Sequence, residues 1–295
     1  MAKLQMLDSD LYTRINDYDN GEDNLLFLAC FNAMNAERYK LPQFGPVTDQ
    51  IGDVFQPHLS EARTLHENAK LIQLDPALVV NFLNMTRSKY PGNSIPEAIA
   101  QMGEGTAYVY LHAINRSAGK IDIANNLLFQ LSLALWEHSY LTGAFCALAA
   151  SHMRNYDPDI AMLAGLLHDI GSLPVLITGT ERSDLVSDPM QLDAMMRRLK
   201  GPIGSLLCQR FKLPDYISDA MTYAEDYNYI SQSRVDYAEL VTVAHIAMSQ
   251  VTDSEINAIP VGQKISSQLR NTKSITGLLV EAKEDLWETY RILEG

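Results

Sequence analysis

The chain is poor in cysteine, short of basic residues, and almost without strand-like alternation. Three cysteines, Cys30, Cys146 and Cys208, are an odd number, far apart, and none forms a CxxC pair. A disulfide scaffold or a zinc ribbon needs paired cysteines at short spacing, so neither is supported. The three read instead as small core hydrophobes in a reducing compartment. Lys and Arg number 23 against 36 Asp and Glu, a net charge of −13. A general phosphate-backbone binder requires clustered cations that displace counterions, so nucleic acid is not an expected partner. The first residues, MAKLQMLDSDLYTRINDYDNGED, meet acidic side chains where a signal peptide would carry an apolar core. No window approaches the ~18 to 20 consecutive apolar residues of a membrane span. The stretch Leu127–Ala150 is interrupted by Gln130, Glu137 and His138. A cytoplasmic protein without a membrane segment is therefore expected.

What is present is apolar and helical. The 295 residues are 47% apolar and 20% charged, which excludes intrinsic disorder and suffices for a core without staples. Apolar residues recur at three- and four-residue spacing through Asn24–Ala36, Asp75–Met85, Pro96–Met102 and Ile121–Arg154. The segment Leu41–Pro46 is a break, and Asp75-Pro76 and Asp157-Pro158 are helix starts with Pro in the first turn. Ser94 can cap a helix, with Glu97 three residues on. Gly171-Ser172-Leu173-Pro174 reads as the end of the helix begun at Asp157. The tyrosine-rich stretch 223–237 reads as a long loop whose rings pack on the bundle, because stacking on nucleic acid would need more cations than Arg234.

The sharpest feature is the run from Ala161 to Gly171, AMLAGLLHDIG. An adjacent His168 and Asp169 on one helix would project about 100° apart. A neutral imidazole and a carboxylate so placed suit a divalent cation, or the carboxylate can bridge two. Ala161, Ala164 and Gly165 would let another helix approach closely. Upstream, Leu131, Leu135, His138, Thr142, Phe145, Ala149 and His152 fall on one helical face. His138 is thus expected in an apolar seam, where Asp169 or a metal would serve as its partner. By spacing alone, His245, His152 and His112 read as core or core-edge histidines, and His58 and His66 as exposed.

His138 followed by Leu163–Gly171 resembles the HD superfamily of metal-dependent phosphohydrolases. More specifically, the chain from about Leu41 to Ile246 resembles the HDOD domain, the HD-related output domain of bacterial signalling. The likeness rests on Leu41-Pro42, on Ile72–Leu78, and on Phe82-Leu83-Asn84 with Ser88. It continues through Ile95–Gly103, LAGLLHDIG, Gly204, Leu206-Leu207, Phe211, Leu213-Pro214 and Ile217. It implies an all-α fold, a multi-helix HD/HDOD-like bundle of two packed sub-bundles. The implied division is an N-terminal helical extension over 1–40 and an HDOD-like domain over 41–250. Within that domain the lobes run about 41–116 and about 122–250, and a helical segment over 251–295 packs on the domain.

The departures carry as much as the matches. Lys200 stands where a hydrolase of this layout usually has a histidine, and Ala224-Glu225 where it has a His-His pair. Met248 stands near the late Asp, and Arg87 replaces the Asn before Ser88. His138, His168 and Asp169 are left as candidate or vestigial metal ligands: as a vestige they form a structural hydrogen-bond network and no cofactor is expected, and as ligands they would hold Mn, Fe or Mg with Glu225 or water completing the set. Lys200 would repel any cation there. The resemblance therefore implies a non-catalytic signalling module with a protein partner. The alternative is a phosphohydrolase acting through His138, His168 and Asp169 on a nucleotide, cyclic nucleotide or other phosphoester.

Overall fold

The computed structural model describes residues 21–36, 39–44, 65–122, 124–232, 234–249, 251–270 and 273–294. His58 and the side chain of His66, expected to be exposed, lie outside the described residues. Among the described residues the chain is all helical, and one isolated bridge pairs Gln43 with Lys120. In chain order α1 (Gly21–Met34), α2 (Leu65–Gln73), α3 (Pro76–Thr86), α4 (Ile95–Met102) and α5 (Glu104–Ser117) come first. Then follow α6 (Asn126–Ser151), α7 (Pro158–Leu167), α8 (Ser172–Glu181), α9 (Pro189–Phe211), α10 (Asp215–Tyr223) and α11 (Tyr237–Met248). Short helices α12 (Asp253–Ala258) and α13 (Pro260–Ser266) precede α14 (Ile275–Glu294).

Helices α2–α5 pack on one another as one sub-bundle, and α6–α11 form the second. Helix α14 lies along α6, while α1 packs on α8 and α9. Helix starts follow local capping chemistry. Asp75 caps α3 by accepting from the Ala77 and Leu78 N–H groups, and its other oxygen accepts from Phe44 N–H at 2.8 Å. Asp157, Asp188 and Asp236 cap α7, α9 and α11 in the same way. Each such cap contributes about 1 kcal/mol. Ser94 caps α4, but Glu97 reaches back to Asn93 N–H at 2.7 Å rather than to Ser94 itself.

The sub-bundles meet along an aromatic file. Phe44 stacks between Phe129 and Trp136, and Trp136 stacks on Tyr140. The Trp136 indole N–H donates to the Leu74 carbonyl at 2.5 Å, which satisfies a buried donor across the seam. The three cysteines are free and buried, as their apolar contexts imply. One helical stretch, Pro158–Glu181, is long and apolar enough to cross a membrane, yet 83% of its apolar window is buried and a turn at 168–171 divides it. It is core.

Two expectations need correction here. Gly171–Pro174 does not end a helix: α7 stops at Leu167, and Pro174 sits in the first turn of α8. A proline early in a helix forfeits an N–H that would lack an intrahelical partner anyway, so it marks a start as readily as a stop. His112, expected at the core edge, is exposed and bonds the Tyr108 hydroxyl at 2.7 Å.

Candidate metal centre

The site is built where α6, the α7–α8 turn and α11 converge. Helices α6 and α7 approach closely because two glycines face each other. A Cβ on Gly165 would lie 2.7 Å from Gly143 Cα and 2.7 Å from the Thr142 carbonyl oxygen. The small-residue face expected at Ala161, Ala164 and Gly165 is thus the contact face, and all three are buried. Gly171 does the same for the next element, since a Cβ there would collide with the Lys200 carbonyl and the Gly204 backbone of α9. These two contacts set the distance from the His-Asp doublet to α6 and to α9.

His168 and Asp169 do not share a helix. His168 is the C-cap of α7 and Asp169 lies in the turn after it, so both side chains turn inward at the helix end. The His168 Nδ1–H donates to the Gly165 carbonyl at 2.6 Å, which leaves its Nε2 lone pair facing the cluster. His138 Nε2 lies 3.1 Å from His168 Nε2, and His245 Nε2 lies 3.0 Å from the same atom. All three ring nitrogens fall within 4.8 Å of one another. Asp169 Oδ2 lies 3.5 Å from His168 Nε2 and 3.8 Å from His138 Nε2. Its other oxygen, Oδ1, accepts from the Lys200 ammonium at 2.8 Å, and Lys200 also donates to Glu225 Oε1 at 2.6 Å.

The electrostatics follow from burial and this charge pattern. Burial holds the His138 imidazole down at about 4, with the neighbouring His168 ring acting the same way against the pull of Asp169. His245 is pushed down further, to about 2, again first by burial. Burial alone would raise Asp169, but His168 and Lys200 outweigh it and hold the carboxyl well below its ordinary range. Burial likewise opposes the charge on Lys200, and Asp169 and Glu225 reverse that, raising it. The cluster is therefore two imidazoles held neutral, His138 and His245, on either side of His168, beside a carboxylate that is already ion-paired on its far side.

The three sequence candidates, His138, His168 and Asp169, are brought together. His138, however, sits at the rim with its side chain 37% exposed, not sealed in an apolar seam, because the site opens to solvent on that side. His245, read from spacing as a core or core-edge histidine, does lie at the core edge, and spacing does not assign it to the site it faces. Helix α11 is buried on nearly every side, so its apolar pattern marks no single face. The available signal was position: His245 lies one turn before Met248, and residues three apart share a face. Glu225 does not complete the donor set, since it pairs with Lys200. A cavity of about 410 Å³ lies elsewhere, lined in part by Gln73, Tyr140, Leu148, Met162 and Asp285.

The donor set fits one cation of the kind the HD resemblance implies. Three imidazole nitrogens and one carboxylate oxygen are transition-metal ligands, and the His168 tautomer is already fixed by a backbone carbonyl, as in metal-ligating histidines. It does not fit two, because the ammonium of Lys200 holds the far oxygen of the one available carboxylate.

Solved structures share this helical architecture. The MmoQ response regulator of Methylococcus capsulatus strain Bath aligns at 20% identity with a TM-score of 0.57, covering 84% of this chain and 98% of that one. A fragment of the same regulator gives 21% identity and 0.59 over 81% and 94% of the two chains. A presumptive metal-dependent phosphohydrolase from Shewanella amazonensis SB2B gives 18% and 0.53 over 92% and 100%. No curated protein matches. The HDOD domain matches over residues 41–227, which takes in the first sub-bundle, α6–α10 of the second and His138, His168 and Asp169, and ends before α11 and His245. With that match over more than half of its length, and the helices laid out as described, the chain belongs to the HDOD domain family.

Proposed function

We propose that the protein is a non-catalytic signalling or regulatory module on a degenerate HD-hydrolase scaffold, whose output is the binding of another protein. The observation that carries this reading is the Lys200 ammonium, ion-paired with Asp169 and Glu225. Two-metal phosphoester hydrolysis needs a carboxylate free to bridge two cations and a ligand set for each. Here a fixed internal cation takes up half of that carboxylate, and the His-His positions of a hydrolase are Ala224 and Glu225. The same reading places the chain in the bacterial cytoplasm, with a protein partner and no nucleic acid.

The alternative, a metal-dependent phosphohydrolase, draws support from the convergence of His138 and His168 with Asp169. A cation held there would supply Lewis-acid polarisation of a phosphoryl oxygen. His138, at the rim, would meet the substrate first. The test is turnover of phosphomonoesters, cyclic nucleotides and cyclic dinucleotides by the full chain with Mg, Mn, Fe or Zn added. Non-catalytic function requires rates equal to those of Asp169→Ala. Turnover that Asp169→Ala abolishes would establish the hydrolase instead.

A further inference from the structure

We propose that His138, His168 and His245 form a mononuclear site for a nitrogen-preferring divalent transition metal of the zinc class, with Lys200 standing where a second cation would sit. The inference concerns what the site binds, and it holds or fails independently of the interaction reading above.

Four observations carry it. The first is spacing. With metal–nitrogen distances of ~2.0–2.1 Å, ligand nitrogens at tetrahedral to octahedral angles lie about 2.9–3.4 Å apart. His138 and His245 Nε2 stand 3.1 Å and 3.0 Å from His168 Nε2. The second is hydrogen-bond accounting. His168 Nδ1–H is committed to Gly165, so its Nε2 offers a single in-plane lone pair. Two neighbouring ring nitrogens cannot both donate well to one lone pair. A cation at the centre satisfies all three.

The third is rigidity. Backbone-to-backbone packing at Gly143 and Gly165 holds α6 against α7, Gly171 holds the turn after α7 against α9, and α11 is packed on both α6 and α7, so little reorganisation remains to be done on binding. The fourth is donor chemistry. Imidazole suits zinc, copper, nickel and iron, whereas magnesium demands oxygen ligands. The nitrogen-rich set therefore narrows the Mn, Fe or Mg expected from family resemblance to the nitrogen-preferring metals. Asp169 Oδ2 is the fourth donor, at the edge of the cluster, and the Lys200–Asp169 pair orients it while closing the far oxygen to a second ion. The exposed edge of His138 is the route by which the ion arrives.

The test is titration of chelator-treated full-length protein with Zn(II), Co(II) and Mg(II) by calorimetry. The cobalt form is followed by its visible ligand-field absorption. The expected result is one Zn or Co per chain, a four- or five-coordinate cobalt spectrum, and no Mg binding. His245→Gln is expected to weaken Zn binding by roughly a hundredfold or more, beyond the ~10–100-fold typical of losing a mere outer-shell partner. Lys200→Gln is expected to tighten it several-fold, by releasing Asp169 and removing a nearby positive charge. Absence of saturable Zn or Co binding overturns the proposal. So do two ions per chain, binding unchanged in His245→Gln, or Mg bound as tightly as Zn. Should His245→Gln fail to fold, the wild-type cobalt spectrum decides: six-coordinate oxygen ligation would refute the three-histidine set. Phosphoesterase activity bears only on the interaction reading, so the two failures separate.

Discussion

At the scale of single residues, two titratable groups, His138 at the rim of the site and Asp75 in the core, pull stability in opposite directions with pH. His138 is held at about 4 against its ordinary 6.5, so between those values the unfolded chain binds the extra proton. Stability contributed by its neutral form is present above pH ~6.5 and is lost as pH falls toward 4. Asp75, fully enclosed at the start of α3, is lifted by burial to about 6 from 3.8, and there the folded chain binds the extra proton, so stability falls as pH rises through that window. The net curve mixes both, and the difference between wild type and a variant isolates one. Urea unfolding of metal-free wild type and His138→Gln at pH 7.5, 5.5 and 4.5 is expected to show the variant gaining on wild type as pH falls. An unchanging difference would mean that His138 is not held neutral by its surroundings. Asp75 also offers a simpler measurement. Asp75→Ala removes the acceptor for Ala77, Leu78 and Phe44 N–H, so the loss should be about 2–4 kcal/mol, combining a lost cap with a buried donor left unpaired. Asp75→Asn keeps the cap oxygen but turns an amide N–H₂ toward the Phe44 N–H, and should cost less.

Helices and their contacts explain both what could be read beforehand and what could not. Three- and four-residue spacing marks most of the helices, and Asp75, Ser94 and Asp157 mark three of their starts, because capping chemistry is local. The break between α7 and α8 leaves no such mark. Apolar residues run from Ile160 through Leu176 across it, so periodicity carries a helix straight through His168 and Asp169. The pair sits on a turn because α8 must leave at a new angle to meet α9, a tertiary demand with no local signature. His245 reads as a core or core-edge residue and not as part of the site for a related reason, its helix being buried on nearly all faces. What is legible is the small-residue stripe, and it makes the element-scale prediction. Gly165→Ala places a methyl against Gly143 Cα and the Thr142 carbonyl, forcing α6 and α7 apart. Overpacking of this kind costs about 1–3 kcal/mol. Since His138 rides on α6 and His168 ends α7, Gly165→Ala should also weaken metal binding although it removes no ligand. A variant that is destabilised but binds Zn as tightly as wild type would show that the histidine spacing does not depend on that helix contact.

For the molecule as a whole, the two sub-bundles are joined by the Phe129–Phe44–Trp136–Tyr140 file with its indole hydrogen bond, by the Tyr216 hydroxyl donating to the Asn93 carbonyl and by packing of α3 on α9, whereas the three histidines all lie in the second sub-bundle. That separation has a thermodynamic consequence. A ligand that binds only the folded form stabilises it by RT ln(1 + [L]/Kd), about 2.7 kcal/mol at a hundred times Kd. If the seam makes folding cooperative across both sub-bundles, Zn should raise a single thermal transition by several degrees, with helix content and tryptophan fluorescence moving together. Trp136→Ala empties the seam, at a cost of about 3–5 kcal/mol, and takes away the donor to Leu74. Two transitions should then separate, and only the one belonging to α6–α11 should respond to Zn and reverse with chelator. Trp136→Phe, which keeps the ring stack and loses only the hydrogen bond, should stay closer to one transition. If wild type already melts in two steps, or if Zn shifts both steps of Trp136→Ala alike, the seam is not the coupling element. In that case occupancy of the histidine site could not be transmitted to the first sub-bundle through Trp136.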